Sequence, residues 1–161
     1  MRIRRGGPAD AASVIGFFDE AVEWMVARGQ TGQWGTEPLS ANARMVARVE
    51  EWAAGSGLWM AELGGEPVGA LVVGERPEHV HPVDVDELYI ELLLASRAHA
   101  GKRIGARLVA HARGLAGDRL LRVDCWAGAP RLVRFYEDQG FVKDGTFRVG
   151  DWEGQVFSME A

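Results

Sequence analysis

One stretch constrains this chain more than any other: Asp86 to Leu115, DELYIELLLASRAHAGKRIGARLVAHARGL, which passes from an apolar run through a basic, glycine-punctuated turn into a helical pattern. Leu88, Tyr89, Ile90, Leu92, Leu93 and Leu94 form a near-continuous hydrophobic segment. It is too short to span a membrane and lacks the alternation of a half-exposed strand, so it predicts a central strand covered on both faces. After Ala95 the chain turns polar, and Ile104, Leu108, Val109, Ala112 and Leu115 then recur at helical spacing. A further strand-like run, Leu120 to Trp126, follows that helix. Strand, helix and strand in this order make a crossover, which places the fourth and fifth strands of the chain parallel and the third and fourth antiparallel.

The first turn of such a helix carries unpaired backbone N–H groups and the positive end of the helix dipole, a combination that attracts phosphate. Gly101 removes side-chain bulk where a ligand would approach, and Gly105 lets the helix sit close to its neighbours. Lys102, Arg103 and Arg107 add positive charge. A pyrophosphate-bearing cofactor suits the turn, but so does an ordinary loop-to-helix turn with basic surface residues, and the turn alone does not choose.

The next segment does. Leu120 to Phe141, LLRVDCWAGAPRLVRFYEDQGF, gives a strand, a Gly/Ala/Pro turn and a helix ending at Gly140-Phe141. Together with the preceding stretch it resembles the GNAT superfamily of acetyl-CoA-dependent N-acetyltransferases. The resemblance runs across nearly the whole chain and is most specific from Leu88 to Phe141. The family's cofactor loop has Gln or Arg, any two residues, Gly, any residue, then Gly or Ala, and aligns with Ala100 to Gly105. Ala100 departs from its first position and Arg103 stands where the middle Gly is usual.

The resemblance implies a single N-acetyltransferase domain over residues 1–161, an α/β fold with a central mixed sheet of about six to seven strands flanked by about four helices. It implies that the fourth and fifth strands splay, with the pantetheine arm of acetyl-CoA lying in the gap. Leu93, Leu94 and Ala95 would then contact pantetheine, while Arg97, Gly101, Lys102, Arg103, Ile104 and Gly105 would hold the phosphates. It also points to Tyr136 as the general acid for the leaving sulfur, the other use of that residue being a core aromatic whose hydroxyl reaches the surface. A homodimer is the assembly it implies.

The rest of the chain supplies the remaining layers. Ile3 lies in an opening strand, and a helix from about Asp10 carries Val14, Phe17, Phe18, Ala21, Val22, Met25 and Val26 as its apolar stripe. Trp24 lies off that stripe, facing either a pocket or the packing. Ser40 is the expected cap of a second helix reaching Trp52 or Ala54. Leu58–Leu63 and Pro67–Gly74 around Gly64-Gly65 read as a β-hairpin, and Phe141–Val149 with Trp152–Met159 as a last one. Proline and acidic residues mark Glu75–Asp86 as a loop.

Chemistry can be read at a few positions. Moving an acyl group to an amine needs a proton acceptor, because an amine with a pKa near 10 is mostly protonated at neutral pH. Glu91 is the candidate base and acceptor contact, a carboxylate in an otherwise apolar strand. Strict alternation places it on one face with Tyr89, Leu93 and Ala95. A salt bridge to an Arg across the sheet is its other use. In the loop Thr31–Pro38, Trp34 either stacks on an acceptor amine or tucks the loop against the body, and Glu37 would attract the acceptor's charge. Asp84, Asp86 and Glu87 add acid around the central strand. These features suggest a small cationic amine acceptor, with a protein or peptide amine or a non-catalytic acyl-CoA-binding module as the other readings.

Composition narrows the partners. The formal net charge of −5 argues against nucleic acid, which needs a basic face. No run approaches the roughly 20 residues of a membrane helix, so a cytoplasmic protein without membrane contact is expected. Cys125 is the only cysteine and reads as a buried strand residue. His79 and His81 have no third ligand near them in sequence, so no metal is expected.

Overall fold

The computed structural model describes residues 1–161. In chain order the elements are β1 (Arg2–Arg5), α1 (Ala11–Ala27), α2 (Ala43–Ala54), β2 (Leu58–Leu63), β3 (Glu66–Gly74), β4 (Glu87–Ala95), α3 (Ile104–Ala116), β5 (Leu120–Trp126), α4 (Pro130–Asp138), β6 (Val142–Val149) and β7 (Trp152–Met159). The seven strands make one mixed sheet in the order β1-β2-β3-β4-β5-β7-β6. Only β4 and β5 run parallel, as the crossover through α3 requires. The expected α/β class, with helices on both faces of a mixed sheet, is the one the chain adopts.

Its central strand is hydrophobic on both sides because both sides are covered. Leu88 and Ile90 of β4 pack with Ile104, Leu108 and Val109 of α3 and with Tyr136 of α4. Leu92 and Leu94 pack on the other face, against Phe18 of α1 and Val49 of α2. Each such aliphatic side chain, fully buried, contributes about 1.5–3 kcal/mol. Beyond α1 and α2, this second face is covered by the loop 75–86, whose Val80 sits on Tyr89 and Val156.

Two details differ from the sequence reading. Leu39–Ala41 forms a single three-ten turn that buries Leu39, so the second helix starts later than Ser40 would have it. Asn42 is its cap, accepting the Met45 N–H at 3.2 Å. Val26 is 39 % exposed, because the buried stripe of α1 runs through Val22 and Met25 and leaves Val26 at its margin.

Two irregularities in β4 create the site. Toward β5, β4 pairs only through Glu87–Leu120, Leu88–Leu121 and Tyr89–Arg122, and the two strands then part while β4 runs on to Ala95 and β5 to Trp126. Toward β3, Val72 lies opposite Leu92 and Val73 opposite Ile90, leaving Glu91 as the extra residue of a β-bulge.

Candidate active site

The parting of β4 and β5 opens two cavities that share Trp34, Leu93, Leu132 and Tyr136. The larger, about 580 Å³, runs from this junction along the end of β4 to the start of α3. The smaller, about 390 Å³, lies between the strands and the β6–β7 hairpin.

The walls of the larger cavity are backbone and positive charge. No side chain caps α3, and the Arg107 N–H is the first taken up, by the Arg103 carbonyl at 3.1 Å. The N–H groups ahead of it are therefore open at the helix start. Gly101 turns there with φ +85°, a conformation that suits glycine. Arg103 is the one non-glycine residue with positive φ, at φ 59° and ψ 32°. The chain thus keeps a left-handed turn where the resembled loop has Gly, at a backbone cost of about 1–2 kcal/mol.

Opposite this turn, three guanidiniums from three elements gather on one indole. Arg28 lies 3.9 Å, Arg97 4.1 Å and Arg131 5.3 Å from the Trp24 ring centre. None of them forms a salt bridge. Burial, then the charges of Arg131 and Arg28, hold Arg97 below its ordinary pKa. Trp24 therefore lines this cavity rather than an acceptor pocket. A cavity with open N–H groups and unpaired arginines fits a phosphorylated ligand with a long apolar arm.

The smaller cavity is acidic and aromatic. Its lining includes Glu91, Asp124, His79, Gln33, Phe147, Trp152 and the hydroxyl-bearing Tyr136. Glu91, at the bulge, faces α2, where Arg48 Nη2 lies 3.5 Å from its Oε1. Its carboxyl has a raised pKa, mainly through burial, with Arg48 acting in the opposite direction. A Cβ at Gly74 would overlap that carboxylate, so glycine makes room for it. Asp124 accepts a short hydrogen bond from the Tyr89 hydroxyl. Burial raises its pKa also, against the Tyr89 bond and the charge of His79.

Tyr136 is 5 % exposed, its ring seated among Phe135, Phe141 and Phe157. Burial pushes its phenol well above the ordinary tyrosine value, so it stays protonated at neutral pH. The loop after α1 is tied to the end of β5 and to the start of β7. Gln33 Oε1 accepts the Trp126 N–H at 2.6 Å, and the Gly32 carbonyl accepts the Trp152 indole N–H at 2.7 Å. Trp34 meets Phe18 edge-on at 5.2 Å, which tucks the loop against the body, and it also lines both cavities.

Several expected positions fall elsewhere. Leu93, Leu94, Ala95, Arg97, Gly101, Arg103, Ile104 and Gly105 line the larger cavity, but Lys102 is exposed beside it. Glu37 is exposed and lines neither cavity, because the chain turns outward at Gly35, φ +76°. Alternation had put Glu91 on the face of Leu93 and Ala95. Glu91 keeps the face of Tyr89, toward α2, as alternation also had it, while the bulge puts Leu93 and Ala95 on the opposite, α3 side. Its ion pair comes from α2, not from across the sheet. Asp84 and Asp86 are exposed ahead of β4, and Glu87 pairs with the buried Arg122 at 3.3 Å. His81 bonds Arg122 as well, through its carbonyl at 2.9 Å. Cys125 is buried with its thiol pushed up to about 12, which leaves little thiolate at neutral pH.

Asp124, Trp152 and Arg131 line these cavities without having been singled out in the sequence, where His79 was weighed only as a metal ligand. Asp124 had the same signal as Glu91, a carboxylate inside an apolar strand. No group of three or more His, Cys, Asp or Glu side chains is placed to hold a metal, and no helix is long and apolar enough to cross a membrane.

The sequence model of the acetyltransferase (GNAT) family matches residues 19–141. No curated protein matches the chain. Among solved structures, an N-acetyltransferase from Staphylococcus aureus Mu50 is similar at 14% identity and TM-score 0.73, over 99% of this chain and 100% of that one. yncA, a putative acetyltransferase from Salmonella typhimurium solved with its cofactor acetyl-CoA, is similar at 16% identity and TM-score 0.68, over 99% and 93%. The aminoglycoside acetyltransferase AAC(6')-Ib, in complex with coenzyme A and kanamycin, is similar at 19% identity and TM-score 0.69, over 98% and 93%. At these identities the likeness is one of fold.

Proposed function

Because the chain belongs to the acetyltransferase (GNAT) family, we propose that it moves an acetyl group from acetyl-CoA to the amine of a small cationic molecule by direct attack. The observation that carries this reading is the junction of two chemically opposite cavities at Trp34, Leu93, Leu132 and Tyr136. One is built for a phosphorylated ligand and the other for a positive one.

When bound, acetyl-CoA supplies an activated acetyl group as a thioester. The N–H groups at the start of α3, with Arg97 and Arg103, hold its phosphates, and the backbone of Leu93 to Ala95 faces the gap that takes the pantetheine arm. The unpaired β4 edge in that gap offers N–H groups to the carbonyl oxygen as charge develops on it. Glu91, through water or directly, takes the proton of the acceptor amine, and its raised pKa makes it a better base than an exposed carboxylate. Tyr136 holds the proton required by the departing sulfur. Trp34, held by Phe18, gives the junction an apolar wall.

Calorimetry with acetyl-CoA, CoA and ATP tests the cofactor half, and CoA release across a panel of amines tests the chemistry. Binding of both CoA species followed by acetylation of small amines is the expected result. Binding without turnover of any amine would leave an acyl-CoA-binding module, turnover of peptide amines alone would move the acceptor class, and no CoA binding would overturn the reading.

A further inference from the structure

Asp124 is a carboxylate in search of a partner. Its one hydrogen-bond partner is the Tyr89 hydroxyl, and no cation forms an ion pair with it. Arg122, on the same face of β5, is engaged by Glu87, Asp144 and the His81 carbonyl. His79 shares the cavity but makes no ion pair with Asp124, its ring lying tilted against Phe147 at 4.6 Å. Enclosing an unpaired carboxylate is costly unless a cation comes to it, and Asp124 lines the smaller cavity.

Position gives the unpaired charge a meaning. The last pair of β4 and β5 is Tyr89–Arg122, so two residues further on Glu91 and Asp124 stand on facing edges of the gap. They differ in their surroundings: Glu91 has an ion pair with Arg48, whereas Asp124 has the Tyr89 hydroxyl as its direct partner and no ion pair. Phe147, Trp152 and Trp34 supply ring faces between and around them, surfaces on which ammonium groups bind. Tyr89 is itself buried at 1 % exposure in a small cluster with Val80 and Val156, so its hydroxyl holds the Asp124 carboxylate in one orientation.

We propose that Asp124, oriented by Tyr89, is a specificity-determining residue that seats a second, non-reacting ammonium of the acceptor, so that the preferred acceptors are compact diamines rather than monoamines. This rests on the acetyl-transfer reading above, in which Glu91 serves the reacting nitrogen. The proposal assigns Asp124 no part in bond making. It acts by holding the substrate, so its removal is felt in KM and not in kcat.

The test compares n-butylamine with 1,4-diaminobutane and 1,5-diaminopentane in CoA release from acetyl-CoA, and calorimetry of each amine against CoA-saturated protein. A diamine is expected to exceed n-butylamine in kcat/KM by about tenfold or more, the effect of one charge-assisted hydrogen bond. Asp124→Asn should erase that preference by raising the diamine KM far more than the n-butylamine KM, while the diamine kcat and CoA affinity hold. Tyr89→Phe should do the same to a smaller degree, with melting curves to show that both variants fold. Equal use of mono- and diamines by the wild type, or an Asp124→Asn loss shared equally by both amines or carried in kcat, overturns the proposal and leaves acetyl transfer standing. If neither amine class is turned over, binding decides: a diamine that binds no more tightly than n-butylamine, or equally to Asp124→Asn, overturns it. Failure of CoA itself to bind would strike the functional reading first.

Discussion

The two cavities that meet at Tyr136 are built from different materials. The larger is organised around main chain, the open N–H groups of α3, the unpaired edge of β4 and the turns at Gly101 and Arg103, with the Trp24, Arg97 and Arg131 side chains along its wall. The smaller is made of side chains from widely separated segments, among them Gln33, His79, Glu91, Asp124, Phe147 and Trp152. Backbone geometry tolerates substitution as long as the turn forms, while a side-chain pocket changes its ligand with each residue. The difference teaches that the chain's cofactor is written into its fold and its acceptor into its details.

Tyr136→Phe, at the junction, should have the largest effect. The variant should bind acetyl-CoA as the wild type does and turn over about 10²–10⁴-fold more slowly, the usual loss for a general acid. Calorimetry and CoA release under conditions where chemistry limits the rate check both halves. Equal rates would make Tyr136 part of the aromatic packing with Phe135, Phe141 and Phe157 and would leave the junction without an acid.

Glu91→Gln probes the acceptor side alone. A base must be ionised to work, so the wild-type rate should fall as pH drops through the Glu91 pKa, which burial places above the ordinary carboxylate value. In Glu91→Gln that acidic limb should vanish, together with roughly 10²-fold or more of kcat/KM, while acetyl-CoA binding is unaltered. A pH profile that keeps the same limb would point to another base.

How much of this could be read from residues follows the same division. The apolar run Leu88–Leu94, the glycines at 101 and 105 and the helical spacing after them predicted strand, turn and helix, because each is a local pattern. Glu91 was visible as an odd charge, but its separation from the face of Leu93 and Ala95 was not. A bulge adds one residue against the partner strand, and nothing in ELYIELLLA marks where that residue enters. Asp124 carries the same signal, a carboxylate inside an apolar strand. Its unpaired state depends on Arg122 being engaged by Glu87 and Asp144, contacts that join three distant segments. The three arginines at Trp24 likewise come from the end of α1, where Arg28 is the residue just after the helix, from the turn after β4 and from α4. Spacing along the chain cannot report such convergence.

Arg103→Gly tests the larger cavity by setting stability against binding. Removing a side chain from a left-handed residue relieves about 1 kcal/mol, which should raise Tm by about 2–4 °C in a chain of this size. The same change removes a guanidinium from the phosphate-facing turn, so acetyl-CoA affinity should fall about tenfold or less. A thermal melt and a calorimetric titration on one preparation give both signs. If affinity holds while Tm rises, the turn binds through its backbone alone and the contrast between the two cavities becomes sharper.

The smallest expected effect belongs to Arg48→Met, which reaches Glu91 without entering either cavity. Arg48 lies 3.5 Å from Glu91 with its side chain 51% exposed, so solvent screens the pair and its worth is a fraction of a kcal/mol. Its charge favours the ionised form of Glu91; without it the Glu91 pKa rises further. The acidic limb of the rate profile should therefore move upward by less than about half a pH unit, with the plateau above it unchanged. An upward shift well beyond that range would mean that Arg48 holds Glu91 more firmly than an exposed pair can. A downward shift would reverse the sign of the argument and separate the base from Glu91 altogether.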